Sequence, residues 1–173
     1  MGERARALIW MVVAVAAAAL VVVWTLGTQE DGRAWTCMEN VYTLGTLLDM
    51  YCADNDGRYP AADRWVDSLR CHLRDSRSLK CPEDRSLARC SYGMNAALGG
   101  KRPEEVSNLT SLVLVYETRY PGHNPHGGLD DVISPPRHRG GNAYYVCTSL
   151  GAYLWPEPAT ASHFEVKLKG PPM

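Results

Sequence analysis

The sequence predicts an α+β fold, in which an N-terminal transmembrane helix precedes a second helix that packs on a small antiparallel β-sheet. Three observations support this prediction: an uncharged apolar run at the N-terminus, apolar residues at helical spacing after it, and short β-branched or aromatic runs later in the chain. Helices that come first and strands that come later are typical of α+β domains. The chain has 173 residues, which leaves room for one membrane segment and one globular domain.

The first predicted element is a transmembrane helix. Residues 7–27 form a run of 21 without a charged side chain, which is long enough to cross a bilayer as a helix. Trp10 and Trp24 lie near its two ends, about 21 Å apart along a helix axis, and suit the two membrane interfaces.

The flanking charges predict the orientation of this helix. Arg4 and Arg6 precede the run, whereas Glu30 and Asp31 follow it. The positive-inside rule then makes residues 1–6 a cytoplasmic stub and exports the rest of the chain.

A cleaved signal peptide is the alternative interpretation of the same run. Thr25 and Gly27 are small enough for a cleavage site, but the run is longer than the usual apolar core of about 7–15 residues. An uncleaved anchor is therefore favoured, and both interpretations export the remaining chain.

The first helix of the exported part is predicted from its capping and its periodicity. Residues 28–35 are mostly polar and predict a short linker, after which Thr36 and Glu39 match a capping box. The apolar residues behind them recur in steps of four and three: Cys37, Val41, Leu44, Leu48 and Tyr51. This helix is expected to end near Ala53, before the turn-forming residues 54–57.

A second helix is predicted over residues 61–73. Its apolar residues Ala62, Trp65, Leu69 and Leu73 form one stripe. Cys71 lies on the opposite face, so packing alone does not explain it.

Strand patterns occupy the later part of the chain. The clearest strand is predicted at 111–117, which is β-branched and aliphatic, and an extended segment is predicted from 91–95. The aromatic runs 143–147 and 151–155 predict a β-hairpin. Residues 156–173 contain several Pro and Gly residues and predict a loose tail.

Five short motifs occur along the chain in a fixed order, and together they resemble those of a known family. The family comprises the bacterial type IV pilin-like proteins, or pseudopilins of the type II secretion kind, whose C-terminal signature is written H-X9-DG. The resemblance covers roughly residues 36–155, which is the predicted extracytoplasmic domain. The matching residues are Cys37, Asn40, Leu44, Gly45, Tyr51, Asp54, Asp56, Gly57, Pro60, Lys80, Cys81, Pro82, Asp84, Ser91, Tyr92, Met94, Asn95, Arg137, His138, Gly140, Gly141 and Asn142.

The chain departs from this family in two ways. After the nine residues that follow His138, the next two positions hold Thr148 and Ser149 instead of Asp-Gly. The N-terminus lacks the leader that prepilin peptidase cuts and the Glu of the fifth mature position. The predicted linker 28–35 also interrupts the long helix that forms the filament core in pilins.

The resemblance implies a protein anchored in the inner (cytoplasmic) membrane by one span, with its N-terminus inside. It would be a non-enzymatic structural or assembly protein that acts through protein–protein contacts, with no cofactor. Its expected partners are the lipid bilayer and other copies of itself or other pilin-like subunits. A net charge of −1 gives no electrostatic footprint for nucleic acid. The alternative is an extracytoplasmic ligand- or metal-binding module built on the loop 121–138.

The cysteines of the exported domain predict disulfides, because their number is even and the compartment is oxidising. They are Cys37, Cys52, Cys71, Cys81, Cys90 and Cys147. Cys81 with Cys90 and Cys52 with Cys71 are the preferred pairs, although the sequence alone does not fix the connectivity. A set of small buried thiols is the alternative. A zinc site is less favoured, because no C-x-x-C occurs.

Three further groups are weighed as metal ligands. Asp54 and Asp56 resemble the opening of a calcium loop, but Trp65 stands where that loop needs Glu, so a helix-terminating turn is favoured. The histidines His123, His126 and His138 are expected to be solvated loop residues. Glu117, at the end of the best strand, is expected to be structural, and no metal site is predicted.

Overall fold

The computed structural model describes residues 2–139, 141–146, 152–155 and 159–169. One long helix carries a globular head (residues 36–169) in which a five-stranded sheet packs against the helix. The helices are α1 (Glu3–Asp54) and α2 (Trp65–Ser68), and the strands are β1 (Cys90–Asn95), β2 (Val113–Gly122), β3 (His126–Gly127), β4 (Asn142–Val146) and β5 (Ala152–Trp155). Short 3-10 turns lie at Ala62–Arg64, Ser76–Leu79, Ala96–Leu98, Pro103–Glu105, Leu109–Ser111, Leu129–Asp131 and Ala161–His163.

Helix α1 runs without interruption from Glu3 to Asp54, so the prediction of a linker at 28–35 was wrong. Its N-terminal part is exposed, and it is long and apolar enough to cross a membrane. A signal sequence would pass the same test of length and composition.

Local interactions explain why the helix continues through residues 28–35. A Gly in a helix interior costs only about 1 kcal/mol relative to Ala, and extending an existing helix needs no new nucleus. Thr36, predicted as the N-cap, instead donates its hydroxyl to the carbonyl of Gly32 at 3.0 Å. Two ion pairs, both partly solvent-exposed, also connect this stretch to the head: Arg33 with Glu83 at 2.9 Å and Arg139 with Glu30 at 2.8 Å.

The predicted end of α1 is confirmed. The helix stops at Asp54, and Asp56 and Gly57 then take positive φ angles of 52° and 69°. The Asn55 amide donates to the carbonyl of Tyr51 at 2.8 Å and so satisfies one of the last free carbonyls of the helix.

The second predicted helix is shorter than residues 61–73. A 3-10 turn at Ala62–Arg64 leads into α2, which is a single turn. Trp65, Val66 and Leu69 of the predicted stripe are buried, and Cys71 is exposed, as expected from its opposite face.

The predicted strands are present, but the sheet is mixed rather than antiparallel. The strand order is β3-β1-β2-β4-β5, and only the β1–β3 pair is parallel. After β2 the chain reverses and crosses to the far edge of β1. Since β1 is antiparallel to β2, a strand that reverses after β2 must run parallel to β1.

A bulge in β2 decides which side chains face the helix. The pairing of β2 with β4 shifts between Val113 and Val115, and both Leu114 and Val115 join the core beneath α1. Tyr116 consequently faces the opposite side of the sheet, and Glu117 faces the helix. Strict alternation from Leu114 would have sent Glu117 to the other side.

The described part of the tail, residues 159–169, is fixed to the head, contrary to the prediction of a loose end. Phe164 is buried and contacts Tyr116 edge to face, with ring centroids 5.3 Å apart and an interplanar angle of 79°. The backbone N–H of Ser107 donates to the carbonyl of Lys167 at 2.7 Å. The tail covers the face of the sheet that α1 leaves open.

Candidate metal centre

Four side chains from distant parts of the sequence meet under α1, and we call them the four-residue cluster. Each offers one possible ligand atom, and these atoms all lie within 4.8 Å of one another. All four residues are buried, with exposed fractions from 0 to 6%. The members are Cys37, Cys81, Glu117 and His138.

Each member comes from a different segment. Cys37 lies on the head-facing side of α1, and Cys81 follows the 3-10 turn Ser76–Leu79. Glu117 lies in β2, on the helix side because of the bulge. His138 precedes β4 in a tight turn, where the N–H of Gly141 donates to the His138 carbonyl at 3.1 Å.

The imidazole of His138 is at the centre of the contacts. Its Nε2 lies 3.3 Å from Cys81 Sγ and 3.5 Å from Glu117 Oε1. One ring nitrogen therefore faces a thiol and a carboxylate at once.

A chain of hydrogen bonds leads to the Cys37 thiol. The Tyr92 hydroxyl donates to Cys37 Sγ at 3.4 Å and accepts from Asn40 Nδ2 at 3.2 Å. The same Asn40 amide donates to the carbonyl of Lys80 at 2.9 Å, next to Cys81. Asn40 thus connects the two cysteine segments.

The carboxylate of Glu117 is fully buried and paired. The backbone N–H of Ala143 donates to Glu117 Oε2 at 2.8 Å, and Arg137 Nη1 lies 3.4 Å from Oε1. The Arg137 side chain is itself only 9% exposed and donates to the carbonyl of Thr118 at 2.9 Å. A buried charge is tolerable when it is paired and hydrogen-bonded in this way.

The segment that holds Cys81 is fixed by a polar network. The N–H of Cys81 donates to Ser91 Oγ at 3.0 Å, and Ser91 donates to Asp84 at 2.6 Å. Lys80 Nζ lies 2.9 Å from the same carboxylate. Burial opposes the charge of Asp84, but the hydrogen bonds from Ser91 and Lys80 outweigh it and lower the pKa of this carboxyl.

The thiols and the imidazole perturb one another. The hydrogen bond from Cys37, helped by His138, lowers the pKa of Cys81 to about 6. Burial opposes protonation of His138, but hydrogen bonds to Cys81 and Glu117 raise its pKa to about 10. Burial raises the pKa of Cys37 well above its usual range. Without a metal, these shifts favour the thiolate form of Cys81 and the protonated forms of Cys37 and His138.

Two kinds of chemistry use such groups. Two thiols, an imidazole and a carboxylate are a ligand set of tetrahedral zinc. A thiolate beside an imidazolium also occurs in cysteine nucleophiles. Cys81 is only 1% exposed, and this burial disfavours attack on a substrate.

A polar cavity of about 220 Å³ adjoins the cluster at the N-terminal side of the head. His138 lies on its wall together with Arg137 and with charged residues from α1, including Glu30 and Arg33. The charged side chains of its wall comprise four guanidinium groups and three carboxylates: Arg33, Arg85, Arg137, Arg139, Glu30, Asp31 and Glu83.

The disulfide predictions are not met in the described chain. Cys37, Cys52, Cys71, Cys81 and Cys90 are free thiols, so neither Cys81–Cys90 nor Cys52–Cys71 is formed. Cys90 instead donates its S–H to the Tyr92 carbonyl at 3.3 Å, and Cys71 is exposed. Cys147 lies outside the described residues.

The other predicted ligands do not join the cluster. Asp54 is the last residue of α1, and Asp56 lies in the turn that follows it. His123 pairs with Asp67 at 3.0 Å, and His126 is exposed and contacts the carbonyl of Asn124. Of the three loop histidines, only His138 reaches the cluster, and it is buried rather than solvated.

The family-motif residues fall into two groups. Asn40, Tyr92 and His138 belong to the cluster or its hydrogen bonds, and Pro82 follows Cys81. The others lie elsewhere: Gly45 is buried in α1, Tyr51 is half-buried, Gly57 forms the turn, Pro60 accepts from Gly100, Asn95 caps the turn Ala96–Leu98, and Gly141 has a φ of +106°. Gly140 lies outside the described residues.

No family model matches this chain, and no curated protein or solved structure is significantly similar to it.

Sequence reasoning missed the cluster because its members are separated by long intervals. A metal site can be recognised in a sequence when two of its ligands lie two to four positions apart. Here the available signal was a charged residue, Glu117, at the end of the most apolar predicted strand, since such a residue is buried only with partners.

Proposed function

We propose that this protein is a non-enzymatic, membrane-anchored, pilin-like subunit that acts through protein–protein contacts. The observation that carries the proposal is the single helix α1 (Glu3–Asp54). Its N-terminal half is apolar and exposed, whereas its C-terminal half is the centre of the head core. One rigid element therefore joins a membrane-compatible segment to a folded head.

An uncleaved anchor is favoured over a signal peptide. The helix passes through Thr25 and Gly27 without a break, and Thr28 donates its hydroxyl back to the carbonyl of Thr25 at 2.9 Å. Arg4 and Arg6 before the apolar run support a cytoplasmic N-terminus.

The outer face of α1 supports contacts with a second copy of the chain. Above the apolar segment, Trp35, Tyr42 and Met50 are exposed by 59, 46 and 48%. They are large apolar side chains on the exposed face of the helix, with the polar residues Asp31 and Glu39 beside them. A second copy held in the same membrane would present the same face at the same height, which favours lateral helix packing.

The experiment is site-specific photo-cross-linking in membranes. A photoreactive amino acid replaces Trp35 in the full chain, and the matched control replaces Leu87, which is fully exposed on a head loop. We expect a cross-linked dimer from position 35 and none from position 87. Equal yields from both positions, or no dimer from position 35, would contradict the proposal.

Membrane anchoring has its own readout. N-terminal sequencing of the membrane-extracted protein is expected to find the apolar run intact. Recovery of a soluble protein that lacks the first 27 residues would show a signal peptide instead and would contradict the proposed membrane anchor.

A further inference from the structure

We propose that the four-residue cluster binds one structural Zn²⁺ ion, which clamps α1 to the sheet. The inference goes beyond the proposed function, because it concerns the head alone and holds whether or not copies assemble.

The geometry fits a tetrahedral ion. With bonds of about 2.3 Å to sulfur and about 2.0–2.2 Å to nitrogen or oxygen, neighbouring ligand atoms lie about 3.4–3.8 Å apart. The structure places His138 Nε2 3.3 Å from Cys81 Sγ and 3.5 Å from Glu117 Oε1. All four candidate ligand atoms lie within 4.8 Å of one another, so only small side-chain shifts separate them from a coordination shell.

The donor atoms select the metal and its role. Thiolate and imidazole ligands suit zinc far better than calcium or magnesium, which prefer oxygen. Four protein ligands close a tetrahedral shell and leave no open position for water or substrate. The burial of all four side chains agrees with a structural ion rather than a catalytic one.

The formal charges of the ligands, the zinc ion and the neighbouring Arg137 sum to zero. Two thiolates, one carboxylate and Zn²⁺ sum to −1, and the guanidinium of Arg137, 3.4 Å from Glu117, brings the total to zero. A buried site with no net charge avoids the desolvation penalty of an isolated ion.

The surroundings resemble the outer shell of a metal site. Tyr92 donates to Cys37 Sγ, and the N–H of Ala143 and Arg137 hold the Glu117 carboxylate. Outer hydrogen bonds of this kind orient ligands before the metal arrives.

The ion would replace the missing disulfides as a cross-link. Cys37 lies on α1 close above its membrane-compatible half, and the other ligands come from three further segments of the head. Zinc therefore fixes the head to the helix near the membrane surface.

The test is metal analysis of the full chain, purified in detergent after growth with zinc and without a metal-affinity tag. We expect about one zinc per chain in the wild type. C81S and H138Q are expected to lose stoichiometric zinc. The matched control is C90S, which removes an equally buried thiol that is outside the cluster.

Titration of the metal-free wild type keeps the test valid if a cluster variant fails to fold. Co²⁺ is expected to give thiolate-to-metal absorption bands that stoichiometric Zn²⁺ abolishes. Three results would overturn the proposal: a wild type that takes up neither metal, a C90S variant that loses zinc as C81S does, or mass mapping that finds Cys37 joined to Cys81 in a disulfide.

Discussion

Cys81 Sγ lies 3.3 Å from Nε2 of His138, although 57 positions separate the two residues in the sequence. The contact joins a loop after the helices to a turn before β4, beneath Cys37 of α1. The contact therefore requires that the helix, the loop and the sheet are all assembled.

The zinc affinity is expected to rise with pH. Without metal, the raised pKa values of His138 and Cys37 keep both groups protonated at neutral pH, and both protons must leave before the groups bind zinc. The logarithm of the zinc association constant should therefore increase by about two per pH unit between pH 7 and 9.

Competition with a chelator of known affinity at several pH values measures this slope. A slope near zero would show that the two groups do not bind the ion. The C90S variant provides the control, because it keeps all four candidate ligands and should give the same slope as the wild type.

The Tyr92 hydroxyl is expected to tune the site. Y92F removes the hydrogen bond to Cys37 Sγ and should weaken zinc binding roughly 10-fold or more. Y120F is the matched control, because Tyr120 is 64% exposed and does not belong to the four-residue cluster. Chelator competition compares the two variants, and equal affinities would contradict a role for the hydroxyl.

The Glu117–Arg137 pair is expected to stabilise the head even without metal. E117Q leaves the guanidinium of Arg137 nearly buried without its carboxylate, and breaking such a pair costs about 3–5 kcal/mol. Thermal unfolding of the full chain in detergent with EDTA measures the loss. E104Q, at a side chain 64% exposed, should change little, and an equal effect of the two substitutions would contradict the account.

The continuity of α1 gives a prediction about its glycines. A Cβ at Gly27 or Gly32 would meet no atom within 4 Å, so G32A should stabilise the helix by about 1 kcal/mol. G93A is expected to destabilise the head instead, because the added Cβ would lie 2.7 Å from the Tyr116 ring. Hydrogen exchange should find the amides of residues 28–35 protected in the wild type, and fast exchange there would instead support a linker.

The sequence predicted those elements whose signal is local. The apolar run 7–27, the turn after Asp54, β2 and the aromatic hairpin each follow from periodicity or turn residues within a few positions. The linker prediction failed because Gly27 and Gly32 beside polar residues resemble a break, whereas a helix that has already formed extends through a Gly at a cost of only about 1 kcal/mol.

The cluster was not predictable by the same means. Its formation depends on the bulge that turns Glu117 toward α1 and on the loops that bring Cys81 and His138 together, and neither has a local sequence signal. The parallel β1–β3 pair was missed for the same reason, since it follows from the path of the chain after β2.

The most direct test of the zinc assignment is X-ray absorption spectroscopy at the zinc edge of the purified full-length protein. The account predicts a four-coordinate ion with two sulfur ligands at about 2.3 Å and two nitrogen or oxygen ligands at about 2.0–2.2 Å. A shell of nitrogen and oxygen alone, without sulfur, would show that Cys37 and Cys81 do not bind the metal and would contradict the central claim.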